Sequence, residues 1–600
     1  MKHTYSFSPT PKKIAMALFF GIFFLLHSIN LVAQVSSVTP TPNVLNENLT
    51  VNIVANFSTS MNQSTMNNNT VRVHGSLRGS IAGSISTQSN KLTFNPTANF
   101  EYNEVITVTL TAGIQTSGGS PITPYSWQFS TGVQPSTGFF TEKARPNVGT
   151  SPYGIAAGDY DNDGFFDLAV ANTGSNNVSL LSFVNDSTYD PAVHTSVGDS
   201  PRGIISGDWD NDGDLDLATA NFSSNNISIL TNNGTGSFTV VNDTSNGEGT
   251  IALVAFDLDG DGDLDITAVN NVSLSIVVLF NDGNGDFTAN TPANMANPPI
   301  AIAYGDIDGD KDLDVIVTTT LSVDLYLNNG PGSITYSAAL PVETAPSFTG
   351  VANIDGDSDM DLVVISSAAN YVTLFKNDGT GDFPDTLHSA VATGGVSVGF
   401  FDKDNDGDLD AGVVHSTQNY VTILQNGGSG NYTFSSLASV RNTPQSIVVL
   451  DYQRTGGIDI AVTNSGAHNV SVLKNVNTAS NTAQISGKIF EDMNGNGVQD
   501  PEDTQGLQGW KIYMSGNVVD STTTDNLGKY NFGSLPAGTY YITQVVEDEW
   551  YRTFPESNTD TISLASAAND TGHNFGNFRY GKISGIKFSD ADGDGVKDNN

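Results

Sequence analysis

The sequence predicts an all-β chain organised around a seven-bladed β-propeller, with a β-sandwich on either side. Three observations carry this. Short β-branched runs alternate with clusters of Gly, Ser, Thr, Asn and Asp, and past the first residues no extended stretch has helical periodicity. An aspartate-rich stretch, "GDWDNDGDLDLATAN" at 207–221, recurs along the chain. Its first acidic position falls at Asp159, Asp208, Asp257, Asp306, Asn353, Asp402 and Asp451, at successive intervals of 49, 49, 49, 47, 49 and 49 residues. A fixed period of that length signals a solenoid or a propeller.

Composition sets the outer limits. The 600 residues exceed one domain, and 23 basic against 63 acidic residues give a net charge of −40 with no cysteine. Lys2, Lys12 and Lys13 precede the apolar run "IAMALFFGIFFLL" at 14–26. A basic start followed by a short apolar run reads as a secretory signal, too short for a usual membrane span, with cleavage expected after Ala33. Its removal (1–33) leaves 20 basic residues against 63 acidic ones and no membrane span in the mature chain. So acidic a protein has no surface with which to neutralise phosphates, which excludes nucleic acid as a partner. An exported chain without cysteine also lacks disulfides, so something else must tie its loops down.

Residues 36–133 form the first module. "LTVNIVANFSTSMNQSTMNNNTVRVHG", "KLTFNPTANFEYNEVITVTLTAGI" and "PYSWQFST" read as alternating strands, with Trp127 and Phe129 expected in a core. This module resembles the bacterial Ig-like domain of S-layer and other surface proteins.

Residues 138–477 form the propeller. Each unit runs from an apolar strand such as "PRGIIS" through the acidic loop to "DLATAN", then "NISILTNN", a glycine turn and a strand opening with Phe. Four short strands make one blade. Before the first acidic loop stands an orphan strand in "STGFFTEKARP" (136–146), and after the last loop a fourth strand is missing. Pairing Phe139–Arg145 with Val470–Lys474 would close the ring and remove a free sheet edge.

The loop pattern D-x-D-x-D-G-x-x-D sets oxygens at positions 1, 3, 5 and 9, with glycine at 6 for the bend and an inward carbonyl at 7. Hard oxygen ligands at this spacing suit Ca²⁺ better than Mg²⁺, which dehydrates reluctantly. The aspartates would otherwise repel one another strongly, and a dication explains why they are gathered. The first loop offers Asp159, Asp161, Asp163 and Asp167, with Phe165 at position 7. The second offers Asp208, Asp210, Asp212 and Asp216, with Asp214 at 7, and the third Asp257, Asp259, Asp261 and Asp265, with Asp263 at 7. The fourth has Asp306, Asp308, Asp310 and Asp314, with Asp312 at 7 and Lys311 in place of the glycine. The fifth has Asn353, Asp355, Asp357 and Asp361, with Asp359 at 7 and Ser358 in place of the glycine. The sixth has Asp402, Asp404, Asp406 and Asp410, with Asp408 at 7. In the seventh, "DYQRTGGID", Asp451 and Asp459 alone remain of the charged ligands, and it is expected to be empty. The segment resembles FG-GAP/VCBS repeats, the family of integrin-α-like propellers, a resemblance that implies the fold and Ca²⁺ but no ligand.

Past the polar linker at 476–484, residues 483–579 include "ISGKIFEDMNGNGVQDPEDTQGLQGWKIYM". Asp492, Asn494, Asn496, Asp500 and Asp503 fit positions 1, 3, 5, 9 and 12 of an EF-hand loop, with the Val498 carbonyl at 7. The module resembles the SD-repeat protein B-type domain, a Cna-B-like β-sandwich of bacterial surface proteins. That likeness makes Lys488 with Asn574 or Asn577 conceivable isopeptide partners. Residues 582–600 restart the same module, with Asp590, Asp592, Asp594 and Asp598 opening a second loop, as expected of a fragment of a longer protein.

Catalytic signals are weak. There is no cysteine and no H-E-x-x-H, and the close carboxylate pairs are accounted for as metal ligands. "GVSVG" (395–399) fits G-x-S-x-G, yet Ser397 occupies a blade's first strand, not a strand-to-helix turn. The expectation is a secreted or cell-surface, non-catalytic Ca²⁺-binding protein acting in adhesion or recognition, with an unknown protein or carbohydrate ligand. An accessory portion of a larger extracellular enzyme, or a passive Ca²⁺-rigidified stalk, is the alternative.

Overall fold

A computed structural model describes residues 35–600, apart from 135, 137, 186–187, 246, 331, 343–344, 476–482, 517–519, 536–537, 558, 566–567, 582–583, 589, 591–593 and 598–600. The expected signal segment (1–33) and the positions of Asp592 and Asp598 lie outside the described residues. Among the described residues strands dominate, a single 3-10 turn at Gln63–Thr65 is the one helical element, and no helix is long and apolar enough to cross a membrane.

Seven antiparallel sheets form the propeller, six of four strands and one, blade three, of five, its outer strand being split into Phe287–Ala289 and Ala293–Asn294. Blade two shows the plan: Pro201–Gly207 innermost, then Asp216–Asn221, Asn226–Thr231 and the outer Thr239–Ser245. Every second strand, from Asp167–Asn172 to Asp459–Asn464, is buried along its whole length. A strand covered on both faces cannot alternate apolar with polar, which explains continuous runs such as "DVIVTT" and "DLVVIS". The outer strands do alternate, as in Ile334–Pro341.

The apolar cores lie between blades. Trp209, Ile227 and Ile229 of blade two pack with Leu253, Ile266 and Val277 of blade three. Ile155, Leu168 and Val170 of blade one pack with Leu450, Val470 and Val472 of blade seven, which completes the circle. The orphan strand closes it as expected: Phe140–Ala144 pairs antiparallel with the third strand of blade seven, Thr141 opposite Lys474 and Phe140 opposite Asn475. Blade one departs from the others. Where blades two to six carry a glycine turn it has a short hairpin, Phe183–Asn185 with Thr188–Tyr189, before its outer strand Val193–Ser196.

The first module is a sandwich of two four-stranded sheets around one core that includes Trp127 and Phe129, as expected. It sits on the acidic-loop face of the propeller. Leu77 O accepts the Asp159 N–H at 3.2 Å, and Arg72 meets Asp263 at 3.4 Å. Ser126 N–H donates to Lys311 O at 3.3 Å, and the Asn43 amide to Ser358 O at 2.9 Å. Asn46 donates to Asp402 at 2.7 Å, and Arg454 pairs with Glu101. A chamber of about 360 Å³ remains between this cap and the innermost strands, lined by His74, Leu77, Ile204, Val254, Tyr304 and Val448. The last module packs two further sheets around Trp510, Tyr540 and Phe575, and its first strand, Ala483–Glu491, runs parallel to Phe575–Arg579.

Candidate metal centres

Each acidic loop is shaped by its own carboxylates before any ion is considered. In loop two, Asp208 Oδ2 accepts the Gly213 N–H at 3.2 Å, Asp210 Oδ1 the Asp212 N–H at 3.2 Å, and Asp212 Oδ1 the Asp214 N–H at 2.9 Å. Gly213 adopts a φ of 97°, which an L side chain resists. Lys311 and Ser358 hold a φ of 82° at the same place, so loops four and five keep the bend at a cost of about 1–2 kcal/mol each.

Five groups of three carboxylates result, the ligand atoms of each within 4.8 Å of one another. They are Asp159, Asp161 and Asp167; Asp208, Asp210 and Asp216; Asp257, Asp259 and Asp265; Asp306, Asp308 and Asp314; and Asp402, Asp404 and Asp410. Such groups could hold a metal ion, and the donors fit a hard cation. Three of the buried oxygens in these groups, Asp159 Oδ1, Asp208 Oδ1 and Asp404 Oδ1, have no hydrogen-bond partner, nor does Asp355 Oδ1 of loop five, and Asp208 is 1% exposed. An anionic oxygen left so is costly unless a cation meets it.

The fifth-position carboxylates Asp163, Asp212, Asp261, Asp310, Asp357 and Asp406 stand outside these groups, each accepting the N–H of position 7. At position 7 the side chains turn to the neighbouring blade: Asp214 Oδ1 accepts the Asn162 amide at 2.7 Å, and Asp263 Oδ1 the Asn211 amide at 2.9 Å. Asp359 and Asp408 lie against the glycines of their own blades' next turns, Gly379 and Gly428.

Position 9 is a structural hub as well. Asp216 accepts the Trp209 N–H at 3.0 Å through one oxygen and the Asn232 N–H at 2.7 Å through the other. Asn232 in turn donates to Tyr160 O of the preceding blade at 2.7 Å and to Leu215 O at 3.0 Å. Asn281, Asn377 and Asn426 repeat this bridge, and Asn328 donates likewise to Leu258 O. Sequence reading missed these asparagines, although the recurring "N-D/N-G-x-G" turn marks their place.

Burial, more than the neighbouring carboxylates, raises the position-nine acids: Asp167, Asp216, Asp265 and Asp314 to about 8. Burial raises Asp208 and Asp257 to about 7. A carboxyl whose folded pKa lies above its unfolded value stabilises fully below the unfolded value, near 4, and loses that contribution as pH rises to the folded value. The metal-free chain is therefore expected to melt at a higher temperature at pH 5.5 than at pH 8.5. Scanning calorimetry after exhaustive metal removal checks this, and a higher midpoint at pH 8.5 would contradict it.

The seventh loop is built differently. Asp451 accepts the N–H groups of Thr455 and Gly456, Arg454 turns away to Glu101, and the Lys474 ammonium meets Gln453. In the last module Asp492 accepts the Gly495 N–H at 2.7 Å and the Gly497 N–H at 2.9 Å, and Val498 N–H donates to Asn496 at 2.8 Å. Asp500 is taken up by the amides of Asn494 at 2.9 Å and Asn496 at 2.6 Å. Asp503 accepts the Met493 N–H at 2.9 Å and the Asp500 N–H at 2.8 Å. Asp590 accepts the N–H of Asp594 at 3.2 Å and of Gly595 at 2.7 Å. Of the isopeptide partners the likeness suggests, Lys488 meets Asn574 through its backbone N–H, which donates to Asn574 Oδ1 at 2.9 Å, while Lys488 Nζ donates to Thr504 O at 3.2 Å and the Asn577 amide pairs reciprocally with Gln544. Ser397 lies in the strand Gly395–Phe401, paired with Val414, and is no nucleophile elbow.

The comparisons with known proteins agree with this architecture. The bacterial Ig-like domain family matches residues 32–131, the SdrD B-like domain family residues 483–580, and the FG-GAP-like repeat residues 159–219, 208–268, 257–317 and 353–413. Serine-aspartate repeat-containing protein F of Staphylococcus epidermidis is 40% identical over 57 residues, 9% of this chain and 3% of its own length. Protein D of the same kind from Staphylococcus aureus is 32% identical over 87 residues, 14% of this chain and 6% of its own. The match thus spans a small part of either relative. Among solved structures, BBS1N in complex with ARL6DN is similar over 57% of this chain and 97% of its own, at 13% identity and a TM-score of 0.41. An Agrocybe aegerita lectin that recognises non-reducing terminal N-acetylglucosamine is similar over 66% and 95%, at 17% identity and a TM-score of 0.35. The chain carries, in order, a bacterial Ig-like domain, FG-GAP-like repeats in a seven-bladed propeller and an SdrD B-like domain.

Proposed function

We propose that this is a Ca²⁺-binding, non-catalytic protein of the cell surface or its surroundings, acting in adhesion or extracellular recognition. The observation that carries the metal reading is the repeated group of three carboxylates, with a buried oxygen of Asp208 left without a partner. Ca²⁺ would bind positions 1, 3 and 9 together with the carbonyl of position 7. Its role would be structural, because the same carboxylates set the loops that the Ig-like domain rests on. That domain covers the acidic-loop face, so a protein or carbohydrate ligand would be met on the opposite face, by the turns joining second to third strands. The adhesion reading rests on the likeness of the last module to SD-repeat proteins.

Asp210→Ala is expected to remove one bound Ca²⁺ and about 2–3 kcal/mol of stability at saturating metal. Gln453→Ala, at the matching place of the seventh loop, should remove no Ca²⁺ and cost under about 1 kcal/mol. Equilibrium dialysis and urea unfolding of both variants read this out. Equal losses of Ca²⁺ would contradict the assignment of the sites.

A further inference from the structure

Loops one to three differ from loops four to seven in their built-in cations. Among the described residues, no lysine or arginine forms a salt bridge with a carboxylate at position 1, 3 or 9 of loops one to three; Arg72 reaches the Asp263 side chain, at position 7, and Arg454 of loop seven donates to Gly164 O of loop one at 2.6 Å. In blade four the Lys311 ammonium lies 3.4 Å from Asp306 and 2.7 Å from Gly309 O. In blade five Lys376, from the third strand, lies 3.0 Å from Asp355. In blade six Lys403, 3% exposed, stands between two ligand carboxylates, 2.9 Å from Asp404 and 3.6 Å from Asp410. In blade seven Lys474, at the strand position of Lys376, meets Gln453 at loop position 3.

We infer that the propeller is metal-loaded on one side only: loops one to three take Ca²⁺, whereas in loops four to seven a lysine ammonium of the chain itself occupies the cation's place. This rests on the Ca²⁺ reading above and adds to it which loops are metal-dependent. The physical argument is competition for the same oxygens. Ca²⁺ needs carboxylate oxygens at about 2.3–2.6 Å from a common centre. In loop six, two of the three grouped carboxylates already face one ammonium, and a second cation there would meet strong repulsion at short range. A lysine held in place needs no free ion, so its loop stays formed when the medium is depleted of metal. Lys403 is buried although lysine is among the residues least often found inside, and the carboxylates around it are what make its burial tolerable.

The sequence shows how to move the device. Thr231 of blade two occupies the third-strand position held by Lys376 in blade five, 15 residues after the ninth-position aspartate in each. Thr231→Lys should bring an ammonium to Asp210 and expel one Ca²⁺.

The test measures Ca²⁺ per chain, by atomic emission after dialysis of the intact protein at fixed free Ca²⁺, with circular dichroism as the check on folding. Lys376→Met and Lys403→Met are each expected to add one bound Ca²⁺, and Thr231→Lys to remove one. Lys376 is more exposed than Lys403, so its variant remains informative if Lys403→Met does not fold. If the parent binds Ca²⁺ and neither lysine variant gains an ion while Thr231→Lys loses none, the inference is overturned and the Ca²⁺ reading stands. If the parent binds no Ca²⁺ at all, both fall together.

Discussion

Removing Ca²⁺ from the intact chain is expected to lower its main melting transition by on the order of 10 °C or more. Each site held at 100 times its dissociation constant contributes about 2.7 kcal/mol, because the ion binds the folded loop and not the unfolded chain. Three such sites, those of propeller loops one to three, give about 8 kcal/mol. In a large domain each kilocalorie moves the midpoint by about 2 °C or somewhat less. The shift should be cooperative, since the loops share their supports. Asp216 fixes Asn232, Asn232 holds the main chain of blade one, and Asn162 of blade one reaches Asp214 of blade two. Losing the ion in one loop therefore loosens two blades. The experiment compares calorimetric scans at pH 7.5 in millimolar Ca²⁺, in millimolar Mg²⁺ and in EGTA. Mg²⁺ should restore little, because it resists giving up its water for such a loop. Identical midpoints in Ca²⁺ and EGTA would refute the metal reading outright.

The propeller was legible in the sequence because each blade repeats one loop at one spacing, and because a strand buried on both faces writes itself as an unbroken apolar run. The closing strand was legible too: "FFTEKAR" precedes a first blade that is otherwise complete. The docking of the Ig-like domain was not. It depends on Asn43, Asn46, Arg72 and Glu101, polar residues on a module's surface whose partners lie hundreds of positions away, and no local pattern distinguishes them from solvated side chains. The same holds for the lysines. Lys311 drew notice for replacing a glycine, but no local pattern marks Lys376 and Lys403, whose ammonium groups the fold places on carboxylates. The hairpin of blade one was hidden for another reason: its sequence lacks the glycine turn that marks blades two to six, and an absent signal does not say what replaces it.

The second large effect is expected from the strand that closes the ring. Phe140–Ala144 supplies the outer strand of blade seven, and Phe140, 4% exposed, stands edge-on to Phe401 of blade six at 5.7 Å. Removing the strand would leave Val470–Asn475 as a bare edge and uncover the packing of Leu473 with Ile423 and Val421. Phe140→Ala alone should cost about 3–5 kcal/mol, the usual range for emptying a buried phenylalanine site. A chain beginning at Gly149 should lose more, and should unfold less sharply than one beginning at Val133, because each blade's faces are covered by neighbours and an opened ring exposes two of them. Thr141 and Lys474 lie directly opposite each other, so a Thr141→Cys/Lys474→Cys pair offers a converse check in a chain with no native thiol. Oxidation of that pair would tie the ends of a loop of several hundred residues and should raise stability by about 4–5 kcal/mol. Calorimetry of the oxidised and reduced forms, and of the two truncated chains, reads both arms. Should the chain from Gly149 melt at the temperature and sharpness of the chain from Val133, with oxidation of the pair leaving the midpoint unmoved, closure through this strand would be wrong, and the seven blades would be held by face-to-face packing alone.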